Sequence, residues 1–198
     1  MSRLPFYTMN APQLVLASAS PRRHQLLAQL GLTFEVFPAD LDESVHEAED
    51  PAAYVERLAR AKAAAAARAH LGKVCLAADT SVVVDGEILG KPRDDAEGRA
   101  MLKRLSGRSH VVMTGIAVAG PRVESRVVQT LVHFRALSLA EIVWYVATGE
   151  GRDKAGGYAS QARAGAFIAS IEGSVSSVIG LPLAESLAML ERAGIELP

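Results

Sequence analysis

The sequence reads LVLASASPRRHQLL over residues 14–27, and this stretch decides how the rest of the chain is interpreted. Its apolar start predicts a short buried strand over residues 14–17. Pro21 fits the first position of a following helix, where its missing N–H group is tolerated, and Ser20 is placed to cap the free N–H groups. Arg22 and Arg23 follow where a helix N-terminus already attracts anions through its free N–H groups and dipole. The stretch predicts a strand, a turn and a helix that bind phosphate; the alternative is a surface helix with two solvated arginines.

Length and composition predict one globular unit. The chain has 198 residues, of which 49% are apolar and 22% are charged, as is ordinary for a protein with a single core. We expect residues 1–11 to be a flexible extension and residues 12–198 to form a single domain. A formal net charge of −1 and an aromatic content of 5% argue against a nucleic-acid-binding module. Local clusters of basic residues are therefore the candidates for binding anions.

Cysteine content and hydropathy indicate a cytoplasmic protein. The single cysteine, Cys75, lies in an apolar run and is predicted to be a core residue. One cysteine excludes an internal disulfide and fits a reducing cytoplasm. The sequence contains no apolar segment long enough to span a membrane, and residues 1–11 lack the apolar core of a signal peptide. We therefore expect neither a membrane association nor a stable nucleic-acid partner.

Strand and helix patterns alternate along the chain, which predicts an α/β fold. Most of the helix patterns begin at a Ser, Asp or Pro residue and end at a glycine. Helices are predicted over residues 21–30, 51–71, 95–105, 139–148 and 183–190. Strands are predicted over residues 14–17, 34–36, 74–84, 110–119, 123–135, 166–171 and 175–179.

A carboxylate interrupts the most apolar of the predicted strands. Residues 74–78 form a continuous apolar run that ends at Asp79, after which the strand pattern continues. An acid in an extended apolar segment needs a partner, a metal or a water-filled cleft. Asp85-Gly86 is a strong signal for a two-residue hairpin, which returns Lys91 close to Asp79 and puts Glu87 and Lys91 on one face. The predicted pairs are Val84 with Glu87, Val82 with Leu89, and Thr80 with Lys91, unless a bulge at Gly90 shifts the register.

Two further charged features each have a functional and an ordinary interpretation. Lys62 continues the apolar stripe of the helix predicted over residues 51–71, so it either extends outward to solvent or points into a cleft that needs a cation. Residues 40–43, DLDE, place three carboxylates in four residues. This loop, which ends at Glu43, either holds a divalent cation through its oxygen atoms or is simply solvated.

The polar, glycine-rich segment at residues 153–165 completes the set of candidates. Its glycines permit close approach of the backbone to a ligand, and Lys154 and Gln161 offer a cation and an amide; a flexible surface loop is the alternative. The candidates together suit a phosphorylated substrate held with Mg²⁺ or Mn²⁺, because cations neutralise phosphate oxygens and acids bind metal and activate water. The cations are Arg22, Arg23, Lys62, Lys91 and Lys154. The carboxylates are Glu43, Asp79 and Glu87.

These motifs resemble those of the Maf-type nucleoside triphosphate pyrophosphatases, and the resemblance spans residues 14–190. No single motif is specific, but several occur in the order that the family shows. The matching segments are LASASPRR at 16–23, DE at 42–43, RLARAK at 57–62, ADT at 78–80, GEILGKP at 86–92, LSG at 105–107, DKAG at 153–156 and GLPL at 180–183.

The resemblance implies both a fold and a reaction. The fold is α/β, with a strongly curved mixed β-sheet flanked by helices, like that of inosine triphosphatase, and a central cleft; a homodimer is the expected assembly. The reaction is hydrolysis of a nucleoside triphosphate between its α and β phosphates. Asp79 is then the proton acceptor for the attacking water, with Lys62 and Lys91 as further catalytic residues.

The resemblance also implies a substrate. The branch of the family that acts on dTTP and UTP selects the base with an arginine, a threonine and a glutamine, and Arg22, Thr80 and Gln161 match these positions. The spacing of YASQ at 158–161 favours this branch over the one that acts on 7-methyl-GTP. The implied substrate-binding residues are Ser18, Arg22, Arg23, Thr80, Lys154 and Gln161. Two segments of this sequence depart from the family pattern, and both bear on base preference and loop geometry. Residues 162–164 read ARA, where the family is richer in glycine, and residues 173–177 read GSVSS, which lacks an aromatic residue.

A second function of a different class is a nucleotide-binding regulator of cell division with little turnover. Tight nucleotide binding without hydrolysis would favour it. The acids at Glu43, Asp79 and Glu87 argue against it, because binding alone needs fewer carboxylates beside phosphate.

Overall fold

The computed structural model describes residues 13–197 and contains one mixed β-sheet with helices packed against it. The predicted extension over residues 1–11 lies outside the described residues. The strands are β1 (Leu14–Leu16), β2 (Glu35–Val36), β3 (Val74–Val84), β4 (Glu87–Leu89), β5 (Ser109–Ala119), β6 (Val123–Phe134) and β7 (Ile168–Glu172). The helices are α1 (Pro21–Ala28), α2 (Pro51–Ala69), α3 (Asp95–Leu105), α4 (Leu139–Ala147), α5 (Val175–Ile179) and α6 (Leu183–Arg192), with 3₁₀ turns at Ala155–Gly157 and Arg163–Phe167.

The sheet is open and runs in the order β2-β1-β3-β5-β6-β7, with β4 paired to β3. The strands β1, β2 and β3 are parallel to one another, whereas β3, β5, β6 and β7 are antiparallel in succession. The α/β class and the mixed sheet flanked by helices are therefore confirmed. No helix in residues 13–197 combines the length and the apolar character needed to cross a membrane.

One predicted strand is a helix. Residues 175–179 form α5, because the Ser174 side chain accepts a hydrogen bond from the Ser177 N–H group (3.2 Å) and starts a helical turn. Gly180, with a φ of 128°, ends the turn. The neighbouring prediction over residues 166–171 is displaced, since its first two residues belong to a 3₁₀ turn and β7 begins at Ile168.

The β3–β4 hairpin confirms most of the predicted register. Val84 pairs with Glu87 and Val82 with Leu89. The predicted pair of Thr80 with Lys91 is wrong, because β4 ends at Leu89 and the Gly90 carbonyl accepts a hydrogen bond from the Gly156 N–H group (3.0 Å) instead.

Helix α2 packs on β3 and β5 through very small side chains. Ala59, Ala63 and Ala66 contact Ala77 and Ala117 in a fully buried cluster. The Asp50 side chain caps the helix by accepting hydrogen bonds from the N–H groups of its first turn, and a proline occupies the first helical position, as predicted.

The contact between α2 and β5 is closest at Gly115. A Cβ atom at this position would lie 2.3 Å from the Val55 carbonyl oxygen, which is backbone and has nowhere to move. Gly115 is also the partner of Asp79 across the β3–β5 ladder. The absence of a side chain at Gly115 therefore sets how near α2 comes to the strand that carries Asp79.

We expect Gly115→Ala to lower the free energy of unfolding by about 1–3 kcal/mol, because the added methyl group forces α2 away from the sheet. Chemical denaturation measures this change. Gly90→Ala is the matched control, since a Cβ atom at Gly90 meets nothing within 4 Å. Equal stability of the two variants would contradict the close contact.

Candidate active site

A cleft of about 1000 Å³ opens where the loop after β1, the first turn of α1 and the middle of β3 meet. The loop after β2 and the segment that follows α4 close its other sides. The cleft gathers all of the predicted site residues except Glu87, and these are Ser18, Arg22, Arg23, Glu43, Lys62, Asp79, Thr80, Lys91, Lys154 and Gln161.

The start of α1 differs from the prediction in how it is capped. Ser20 occupies the N-cap position but its side chain makes no capping hydrogen bond. Instead, the Ser18 hydroxyl accepts a hydrogen bond from the Ser20 N–H group (3.2 Å). Ser18 also accepts from Arg23 Nη1 (3.2 Å), so this hydroxyl holds the turn between β1 and α1.

Arg23 joins three parts of the cleft wall. Its Nε donates to the Gly180 carbonyl oxygen (2.8 Å), its Nη1 to Ser18 and its Nη2 to the Thr80 hydroxyl (3.1 Å). Burial lowers the pKa of this guanidinium, while the charge of Asp79 opposes that effect. Three of its five N–H groups thus donate hydrogen bonds to other parts of the protein. Arg23 therefore joins the walls of the cleft in addition to giving it a positive charge.

Arg22 has a guanidinium nitrogen that the described residues leave without a partner. Its side chain is half-buried, and its Nε is buried without a hydrogen-bond partner among the described residues. Burial lowers the pKa of Arg22, and the charge of Asp153 acts in the opposite direction. A buried donor without a partner costs free energy, so this guanidinium is suited to an anionic or carbonyl-bearing ligand.

Asp79, Lys62 and Glu43 form a cluster at the floor of the cleft. The Lys62 ammonium lies 2.7 Å from Asp79 Oδ1 and 2.5 Å from Glu43 Oε1. Asp79 is 8% exposed and Lys62 is 6% exposed. Lys62 therefore points into the cleft rather than outward to solvent, and it pairs with the acid that interrupts β3.

The Glu43 carboxylate reaches this cluster from an anchored loop. The Tyr54 hydroxyl donates to the Glu43 carbonyl oxygen (2.9 Å), and Arg57 donates to the Ser44 carbonyl oxygen (3.0 Å). Burial raises the pKa of Glu43, but the hydrogen bond from Lys62 and nearby cationic charges outweigh it, so the pKa falls below its usual value. Sequence reasoning missed the anchoring role of Tyr54 and Arg57, although both lie on α2 one or two turns before Lys62.

Three further predicted residues line the cleft, and two of them are exposed. Lys91 is exposed and its charge contributes to lowering the pKa of Glu43. Lys154 forms an ion pair with Asp153. Gln161 is exposed and accepts a long hydrogen bond (3.5 Å) from Ser160, and its amide nitrogen has no hydrogen-bond partner among residues 13–197.

Glu87 lies outside the cleft. Its carboxylate accepts a hydrogen bond from Arg104 Nη1 (2.6 Å) of α3, and its side chain is 70% exposed. The prediction that Glu43, Asp79 and Glu87 converge is therefore wrong, and residues 13–197 contain no group of three or more metal-ligating side chains. Two carboxylates, Glu43 and Asp79, do converge.

A buried network that sequence reasoning missed supports the loop over the cleft. The Tyr158 hydroxyl shares a hydrogen bond with His110 Nε2 (2.8 Å), and the Tyr145 hydroxyl accepts from the Ala159 N–H group (3.0 Å). Burial lowers the pKa of His110 to about 4, so the imidazole is neutral at pH 7. Tyr158 lies in the glycine-rich segment. An aromatic residue in such a segment is the sequence feature that could have predicted that this loop is anchored to the core.

A comparison with families of known proteins now identifies the chain. The model for the family described as "Maf-like protein" matches residues 13–193. The chain belongs to the Maf family. The resemblance that the motifs predict is confirmed.

Curated relatives of this Maf protein align with more than nine tenths of its length. A protein of Myxococcus xanthus (strain DK1622) named dTTP/UTP pyrophosphatase is 57% identical over 192 residues, which cover 96% of this chain and 98% of the relative. A Symbiobacterium thermophilum protein with the same name is 51% identical over 185 residues, which cover 92% of this chain and 94% of the relative. Among solved structures, the Staphylococcus aureus Ham1 protein aligns with a TM-score of 0.47 and 19% identity over 90% of this chain and 96% of its own.

The neutral, buried His110 makes stability depend on pH. Because its pKa is about 4 in the folded chain and 6.5 for an unperturbed histidine, the unfolded state binds more protons between these values and stability falls as the pH drops through this window. We expect the free energy of unfolding to lose on the order of 2 kcal/mol between pH 7 and pH 5 through this group.

His110→Gln keeps a hydrogen-bonding partner for Tyr158 without a titrating group, so its unfolding free energy has a weaker pH dependence than that of the wild type. Denaturant titrations at pH 7 and pH 5 measure the difference. The control variant is His46→Gln, which removes an exposed histidine outside this network. An unchanged dependence in His110→Gln would show that His110 does not titrate as its burial requires.

Proposed function

We propose that this Maf protein hydrolyses dTTP and UTP at the anhydride bond between the α and β phosphates, releasing the monophosphate and pyrophosphate. The observation that carries the proposal is the Asp79–Lys62 pair in a cleft lined with cations. The names and full-length similarity of the Myxococcus and Symbiobacterium relatives support the choice of substrate. The single buried cysteine, Cys75, is in keeping with a reducing cytoplasm, and a homodimer is the assembly that we propose from family resemblance.

Asp79 acts as the proton acceptor in this proposal. The ammonium of Lys62 occupies Oδ1, and no hydrogen bond from a described residue reaches Oδ2, which is left for a water molecule. As the water oxygen bonds to phosphorus, one of its protons passes to Asp79 and the anhydride P–O bond breaks. Pyrophosphate leaves with the bonding electrons. A positioned base of this kind commonly contributes on the order of 10²–10⁴ in rate.

The cations of the cleft bind the triphosphate and neutralise the charge that develops on it. Arg22 has an unpartnered donor, Arg23 has two N–H groups left, and Lys91 lines the cleft. Fixed cations in a cleft stabilise a developing negative charge more strongly than solvent does, because they need not reorganise. Lys154 is a fourth cation in the lining of the cleft, where it pairs with Asp153.

We further propose that Glu43 and Asp79 hold a divalent cation, Mg²⁺ or Mn²⁺, together with substrate phosphates. Both carboxylates already converge on one cation, the Lys62 ammonium. Mg²⁺ sites in phosphate-transferring enzymes are commonly built from one or two carboxylates and the phosphates themselves, so this donor set fits. When bound, such an ion neutralises phosphate oxygens and makes a coordinated water easier to deprotonate.

Arg22, Thr80 and Gln161 are the residues that we propose select the base, as the family resemblance implies. All three line the same cleft as the cations. The guanidinium and the amide nitrogen offer donors to the carbonyl oxygens of uracil and thymine.

We expect Asp79→Asn to lower kcat for UTP and dTTP by about 10²–10⁴, because the amide cannot accept the proton. Pyrophosphate release measures the rate. Asp85→Asn is the control, since Asp85 lies in the hairpin turn and pairs with Arg108 outside the cleft. A full rate in Asp79→Asn would contradict the assignment. Tight nucleotide binding without any turnover by the wild type would instead support a regulatory function.

We expect EDTA to abolish turnover and added Mg²⁺ or Mn²⁺ to restore it. Glu43→Gln should raise the metal concentration for half-maximal activity by roughly tenfold or more, as losses at metal sites commonly do. Glu87→Gln is the control, because Glu87 is exposed and pairs with Arg104. An identical metal response in the two variants would contradict a ligand role for Glu43, and turnover in EDTA would contradict the metal requirement.

A further inference from the structure

A chain of hydroxyl groups runs from the cleft into the sheet. Arg23 Nη2 donates to Thr80 Oγ1, Thr80 Oγ1 lies 3.0 Å from Thr114 Oγ1, and Thr114 Oγ1 donates to the Ser177 carbonyl oxygen (2.9 Å). Thr80 and Thr114 are directly opposite each other on β3 and β5. Such pairs hold their Cβ atoms about 5 Å apart, so the two hydroxyls meet without strain.

The direction of every hydrogen in this chain is determined by its two ends. A carbonyl oxygen only accepts, so the single hydroxyl hydrogen of Thr114 points to Ser177. Thr114 then has no hydrogen for Thr80, and Thr80 must donate its own hydrogen to Thr114. At the other end the guanidinium of Arg23 only donates. The Thr80 oxygen therefore has its hydrogen turned into the sheet, and one of its two lone pairs receives Arg23.

We propose that Thr114 is a positioning residue for base selection, because it fixes the Thr80 hydroxyl as a hydrogen-bond acceptor toward the cleft. This inference rests on the proposed function and deepens it. Uracil and thymine carry an N–H group at N3, which the remaining lone pair of Thr80 accepts. Cytosine carries a lone pair at N3, which would face another lone pair.

The surroundings of Thr80 keep that lone pair accessible. Thr80 is partly exposed and lines the cleft, whereas Thr114 is completely buried. Gly180, whose φ is 128°, lies beside them, and a Cβ atom there would come within 3.6 Å of Thr80 Oγ1. Bare backbone at Gly180 therefore leaves room for a ligand next to the hydroxyl. If Thr114 served only to fill space, valine could replace it without changing which base the cleft prefers.

The test compares kcat/KM for UTP and CTP in the wild type, Thr114→Val and Thr114→Ser. Valine has the same shape as threonine but frees the hydrogen of Thr80, so UTP turnover falls and CTP turnover rises. We expect the UTP-to-CTP ratio to fall by about tenfold or more, which corresponds to about 1.4 kcal/mol. Serine keeps the hydroxyl and should keep the ratio. A parallel loss for both substrates, with the ratio unchanged, would overturn the inference.

A double-mutant cycle tests whether Thr114 acts through Thr80. In a Thr80→Val background, adding Thr114→Val should leave the ratio unchanged, because the hydroxyl that Thr114 orients is gone. A second full drop would contradict the mechanism. If Thr114→Val fails to fold, Thr114→Cys serves instead, since a thiol keeps a donor of similar size but accepts hydrogen bonds weakly; it should lower the ratio, and an unchanged ratio would count against the inference.

Binding of the products separates this inference from the proposed function. The affinities of UMP and CMP, measured by calorimetry, require no turnover. If the wild type hydrolyses no triphosphate, the proposed function fails, and the UMP-to-CMP affinity ratio in the same variants still decides the role of Thr114. A wild type that hydrolyses UTP and CTP equally well keeps the pyrophosphatase activity and overturns the inference.

Discussion

The geometry of the cleft depends on how closely α2 packs against the sheet at Gly115. The Val55 carbonyl occupies the space that a side chain on Gly115 would need, and Gly115 is the ladder partner of Asp79. Lys62 follows Val55 by seven residues, which is two helical turns along the same face. The contact at Gly115 thus sets the height of Lys62 above Asp79, with which the ammonium makes a 2.7 Å bond.

The ion pair between Lys62 and Asp79 is poorly explained as a contribution to the stability of the fold. Removing a buried ammonium and carboxylate from water costs several kcal/mol per ion, and their attraction offsets this cost only with good geometry and further hydrogen bonds. The rest of the α2 face consists largely of alanine against alanine, where an apolar residue at position 62 would pack at no such cost. Lys62 is therefore better understood through the cleft, where it holds Asp79 and Glu43 together as carboxylates.

Features that depend on local sequence were predictable, and features that depend on distant partners were not. The start of α2 at Pro51, the hairpin pairing of Val82 with Leu89 and the need of Asp79 for a partner, a metal or a cleft all follow from neighbouring residues. Glu87 was misplaced because its partner, Arg104, comes from α3 and is brought near only by the fold. The helix at residues 175–179 was missed because three of its five residues, Val175, Val178 and Ile179, are β-branched, and in a sequence pattern they outweigh a serine cap.

The adjacent arginines at the start of α1 illustrate the same limit most clearly. Their position alone assigned Arg22 and Arg23 the same phosphate-binding role, because both follow a helix N-terminus that attracts anions; only the family resemblance gave Arg22 a further role in selecting the base. Neighbouring residues on a helix point about 100° apart, so the two side chains meet different surroundings. Arg23 turns toward Gly180 and Thr80 and connects α1 to the sheet, whereas Arg22 enters the cleft with a donor unpartnered by the described residues. Arg23 therefore helps to build the wall of the cleft, and removing its charged side chain would disturb the shape of the cleft as well as the binding of phosphate.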